Sequence, residues 1–132
     1  MERVLCCLLT LACAAAAADK LQEREPGPKA TGKIYEWKSK DGLVYHYRIP
    51  KGFDPETGAN LPLILHGTNL DRRWGFANPS FKSFRTSDVV VSPDGTTPNG
   101  RGGYNFLYNK KDLDRLHDLQ MELKKSLKLG AT

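Results

Sequence analysis

The stretch LPLILHGTNL, Leu61 to Leu70, decides how this chain is read. Leu61, Leu63, Ile64 and Leu65 make a nearly continuous apolar run, closed by His66-Gly67. Such a run suits a strand covered on both faces, as in a parallel sheet. A second run, Val89-Val90-Val91, lies in DVVVSPDG. Between the two, TNLDRRWGFANPSFKSFRTS carries Phe81 and Phe84 at i, i+3, a spacing that allows a short helix. A strand, a crossover and a second buried strand predict a βαβ unit.

Upstream, KIYEWKSKDGLVYHYRIP reads as a hairpin. Leu43, Tyr45, Tyr47 and Ile49 alternate with Val44, His46 and Arg48, the period-two pattern of a strand with one buried face. His46 falls on the polar side and is expected in solvent. Asp41-Gly42 makes the turn, because glycine tolerates positive φ. Residues 19–32 are polar and contain Pro26-Gly27-Pro28. They read as a disordered linker with too little apolar surface to order itself, so structure is expected to begin near Lys33.

Downstream, PDGTTPNGRGG is a glycine-rich loop, and a helix is predicted over about Lys110 to Leu129. Leu113, Leu116, Leu119, Leu123 and Leu127 fall on one stripe of a 3.6-residue period. Asn109 caps it, with Asp112 three positions on in a variant of the capping box. Lys124, Lys125 and Lys128 favour its C-terminal end, and Gly130 suits the stop.

The first 18 residues have Arg3, an apolar run from Val4 to Ala18 and an A-x-A site at Ala16-Ala17-Ala18. They read as a signal peptide, and the run is short for a stable membrane span. A secreted or periplasmic product is expected. All three cysteines, Cys6, Cys7 and Cys13, lie in this segment. Thr10 and Leu11 fit a lipid-attachment signal at Cys13 poorly. The remainder has no disulfide, no thiolate metal site and no cysteine nucleophile.

The net charge is +5, but the basic residues are scattered. No basic stripe interleaves with aromatics, so nucleic acid is not an expected partner. No G-K-[ST] follows the glycines and no H-E-x-x-H occurs, so neither a cofactor nor a metal is expected.

The order of these parts resembles an α/β-hydrolase, and more narrowly the secreted esterases grouped with poly(3-hydroxybutyrate) depolymerases and feruloyl esterases. The resemblance rests on the strand pair Lys33 to Ile49, LILHGTN, the aromatics near Trp74 and Phe76, VVSPDG, NGRGGYNF and DLDRLHDL. It implies an α/β fold, the N-terminal half of a hydrolase domain over 33–132 with an incomplete sheet. It implies an ester or polymer substrate and acyl transfer through a serine. The oxyanion donor carried over is the Thr68 N–H, with Gly67 letting the loop approach substrate. His66, Asn69, Asp94 and Tyr104 would line the cleft.

The family's G-x-S-x-G elbow is absent, and no serine here sits on the tight strand-turn-helix that would activate it. No catalytic triad is therefore assigned. The chain reads as an N-terminal portion, inactive alone, with a bare edge along Leu63-Ile64-Leu65 that invites aggregation or self-association. Two other readings stay open: a secreted non-catalytic module that holds a polymer or carbohydrate, and a non-catalytic remnant of the hydrolase fold.

Overall fold

The computed structural model describes residues 20–78, 84 and 86–129. The signal-peptide segment, Phe81 and Gly130 lie outside the described residues. The elements are β1 (Ile34–Lys38), β2 (Val44–Arg48), α1 (Arg73–Ala77), β3 (Val90–Pro93), β4 (Thr97–Pro98), β5 (Tyr104–Asn105) and α2 (Lys110–Ser126).

The hairpin forms where the alternation places it. β1 and β2 pair antiparallel, with Tyr35 opposite Tyr47 and Glu36 opposite His46. Gly42 takes φ 89° in the turn. β2 then pairs antiparallel with β3, Tyr47 opposite Val91 and His46 opposite Ser92.

The run from Leu61 lies along the other side of β3. Val89 N donates to Asn60 O (3.0 Å), Val91 N to Pro62 O (3.1 Å) and Ile64 N to Val91 O (2.8 Å). The direction is parallel, as a βαβ unit requires, but only one bridge forms, Leu63 with Val91. The expected full strand is corrected to this short contact. Pro62 brings no N–H to a ladder. Leu63, Ile64 and Leu65 are only half-buried, not covered on both faces. Among the described residues the crossover carries α1, and the helix expected at Phe81 and Phe84 falls on a stretch that lies largely outside them.

Helices lie on both sides of the sheet. Leu43, Tyr45, Tyr47, Ile49, Val89 and Val91 share one core with Leu116, Leu119, Leu123 and Leu127 of α2. Leu113, expected on the stripe, is 56% exposed. On the opposite face, α1 crosses with Gly75 directly over the Ser92 side chain, leaving no room for a Cβ. The chain therefore mixes helix and strand in the α/β class. Its three-stranded sheet, β1-β2-β3, is antiparallel, and a second sheet joins β4 and β5. An antiparallel sheet of this size is not by itself a hydrolase sheet.

Both ends of α2 carry caps. Asn109 Oδ1 accepts from Asp112 N at 3.0 Å. The Asp112 carboxylate does not reach back to Asn109. It accepts instead from Leu107 N, Tyr108 N and the Thr96 hydroxyl, tying the helix start to the loop before it. At the far end Lys128 takes the left-handed conformation (φ 57°). Lys128 N bonds to Lys125 O and Leu129 N to Lys124 O, which satisfies the last carbonyls.

The segment read as a linker runs along β1. Arg24 N donates to Glu36 O (3.1 Å) and Glu36 N to Gln22 O (3.2 Å). Tyr47 Oη donates to Arg24 O at 2.8 Å, and the Arg24 guanidinium sits 4.9 Å from the centre of the Tyr35 ring. Its order comes from β1's open backbone edge, from two tyrosines, and from Ala30, which packs against the core.

Candidate functional site

Two loops meet at one end of the sheet. Leu70 pairs with Tyr104 in an antiparallel bridge. Tyr104 N donates to Leu70 O (2.9 Å), and Asn69 N donates to both Tyr104 O and Asn105 Oδ1 (3.1 Å each). Asn99 draws the glycine-rich loop together. Its side-chain oxygen accepts from Arg101 N (2.8 Å) and Gly103 N (3.1 Å), while its amide donates to Asn69 Oδ1. The positive φ in the His66 loop belongs to Asn69 (63°), not to Gly67.

His66 is buried, 1% exposed. Its Nδ1 donates to Gly67 O at 2.7 Å, and its ring lies 4.9 Å from that of Phe106. Its Nε2 is buried and has no partner among the described residues. Gly67, Thr68 and Asn69 are exposed. Asn69 lines a cavity of about 340 Å³ with Trp74 and Gly103. Asp94 and Tyr104 line a different one of about 420 Å³. The structure thus joins Asn69 to Tyr104 through the backbone, and Asp94 shares a cavity with Tyr104 rather than with Asn69.

Asp94 belongs to a buried charge cluster instead. Its two oxygens accept from Arg72 Nη1 at 3.2 and 3.0 Å, and Oδ1 also accepts from Arg72 N at 2.9 Å. Arg72 Nε donates to Glu36 Oε2 at 2.8 Å, and the same oxygen accepts from His46 Nε2 at 2.9 Å. Ser92 Oγ donates to Arg72 O, which fixes the backbone at the start of α1. One guanidinium therefore ties β1 and the end of β3 to the crossover, and Glu36 passes the link on to His46 of β2.

His46 corrects an expectation. It is 5% exposed, not solvated, because Glu36 stands opposite it across the hairpin and Arg72 closes over both. Burial lowers its pKa, and the bond to Glu36 only partly opposes this. Burial would raise Glu36, but the bonds from Arg72 and His46 prevail and hold it below the usual carboxylate value. Arg72 loses by burial and gains more from Glu36 and Asp94, so its pKa rises.

These shifts give a pH dependence with a definite sign. His46 is neutral in the fold and gains its proton more readily when unfolded, at the ordinary value of 6.5. Its contribution is present above that value and is lost as pH falls from it toward the lower folded value. Glu36 acts in the same direction further down, below its ordinary 4.5. Thermal melts taken between about pH 8 and pH 5 should show stability falling with pH, and His46→Gln should flatten the upper part of that fall. A wild-type curve that rises on acidification would contradict the assignment.

Sequence reasoning missed Glu36 and Arg72. The Glu36–His46 pair was within reach, since the hairpin register follows from the turn at Gly42. Arg72 had no local signal, because its role depends on where the crossover returns to the sheet.

No family model matches the chain, and no curated protein matches it significantly. Among the described residues, no helix is long and apolar enough to cross a membrane.

Proposed function

We propose that residues 33–132 are the oxyanion-binding half of a serine carboxylic-ester hydrolase, exported through the apolar N-terminal run. The observation that carries this reading is the docking of the His66–Leu70 loop onto the glycine-rich loop through Asn69, Leu70 and Tyr104. A loop pinned on both sides can hold a backbone N–H ready for the negative oxygen of a tetrahedral intermediate. That preorganisation is what an oxyanion donor needs, and losing one typically costs about 10²–10³ in rate. Thr68, exposed at the tip, supplies the N–H, and Gly67 precedes it. The parallel contact of Leu63 with Val91, with the half-buried rim beside it, suits a sheet that continues on that side.

The sequence contains no G-x-S-x-G, so the half carries no nucleophile of its own. The 132-residue chain is therefore expected to hydrolyse p-nitrophenyl butyrate no faster than buffer. Reading the nucleotide sequence past the Thr132 codon should reveal an open frame that reaches G-x-S-x-G. Clear turnover by the chain alone would sink the division of labour. A stop codon there, with a stable monomer, would sink the hydrolase reading.

A further inference from the structure

We propose that the cavity beside Arg72 binds a neutral polyhydroxylated ligand, a sugar unit of an oligosaccharide. This inference is independent of the ester-hydrolase reading and survives or fails without it. The cavity measures about 420 Å³. That lies within the range of roughly 300–1,000 Å³ found for small-molecule sites. It is lined by residues of β1 and β2, by Glu23 of the segment laid along β1, by Arg72 and Asp94, and by Tyr104 of the glycine-rich loop.

Its lining offers unused hydrogen-bonding groups of both kinds. Arg72 spends Nε on Glu36 and Nη1 on Asp94, which leaves Nη2 without a partner among the described residues. Glu36 uses Oε2 for both of its bonds, which leaves Oε1 as an acceptor. Glu23 and Lys38 are exposed and have no side-chain bond within the described structure. The cavity thus presents two donor groups and two carboxylate acceptors.

The charges exclude the simple ionic ligands. A small anion meets Glu23, Glu36 and Asp94, and a small cation meets Lys38 and Arg72. A ligand that carries both donors and acceptors but no charge can use all of them. Hydroxyl groups are of that kind.

Tyr104 and Val44 supply the apolar part, since Trp37 turns its ring to the other face of β1, against the core. Both are half-buried, so the Tyr104 ring has a fixed base and an accessible portion. A pyranose ring has an apolar C–H face that packs on such rings, with its hydroxyls directed around the edge. The Arg72–Glu36 part of the polar side is fixed in advance. Arg72 is held by two carboxylates before any ligand arrives, so less side-chain entropy is lost on binding.

The test uses the full chain with cellohexaose, xylohexaose, maltohexaose and mannohexaose, each up to about 10 mM, beyond the weak end of measurable single-site affinity. Choline and acetate serve as the charged comparisons. Tryptophan fluorescence reports on Trp37 and Trp74, and calorimetry gives the affinity. At least one oligosaccharide should bind saturably. Tyr104→Ala should weaken it about tenfold, the scale expected for loss of one aromatic contact. Because Tyr104 also pairs with Leu70, Lys38→Met and Glu23→Gln provide variants at exposed positions, and each should weaken binding several-fold. The proposal is overturned if no oligosaccharide saturates, if both exposed variants bind like the parent, or if choline or acetate binds where the sugars do not.

Discussion

Arg72→Met should destabilise the protein by about 3 kcal/mol, the lower part of the range for breaking a buried ion pair. The size comes from what the substitution leaves behind. Asp94, whose side chain is 3% exposed, keeps the Arg72 backbone N–H but loses its cation. Glu36 keeps only His46. The lower figure is appropriate because the Arg72 and Glu36 side chains are 23% and 24% exposed, so water screens part of the loss. Methionine retains much of the aliphatic stem, which separates charge from packing. Urea unfolding of the parent, Arg72→Met and Arg72→Met with Asp94→Asn would check this. The double variant should be more stable than Arg72→Met alone, since it removes the stranded charge. A single variant within about 0.5 kcal/mol of the parent would place the cluster among ordinary surface pairs.

The parts legible in the sequence are those set by local pattern. Alternation from Leu43 to Ile49 gave the hairpin and its buried face, and Asn109 gave the start of α2. What was not legible depends on neighbours distant in sequence. Leu113 falls at the edge of the stripe that carries Leu116, and the helix turns its buried face toward Asp112 instead. Polar composition suggested disorder before Lys33, but an open strand edge at Glu36 can order any backbone laid beside it. His46 sits at a polar position of the alternation, and only the arrival of Arg72 over that face turns it into a buried group. Of the residues expected at a cleft, Asn69 and Tyr104 meet through their backbones, while Asp94 is claimed by Arg72. Motif order placed the loops near one another, but it did not reveal which side chains were already engaged.

Gly95→Ala should cost about 3 kcal/mol, the upper part of the range for overpacking. The reason is space, since Gly95 is not among the residues with positive φ. A Cβ there would fall 2.6 Å from Asn105 O and 2.7 Å from Asn105 C and N. These are backbone atoms and cannot rotate away as a side chain could. Relief requires β5 to shift, and Asn105 is paired with Thr97 in β4 while its side chain accepts from Asn69 N. The strain therefore passes to the His66–Leu70 loop. Hydrogen exchange at the Asn69 amide should quicken in the variant, along with the loss of global stability. Gly52→Ala is the matched control, because no atom lies within 4 Å of a Cβ at that position. It should stay within about 0.5 kcal/mol of the parent. If the two variants behave alike, the close approach of Gly95 to Asn105 does not hold the loops together. If only Gly95→Ala loosens Asn69, one glycine sets the distance between the loop proposed to hold the oxyanion and the loop against which it is braced.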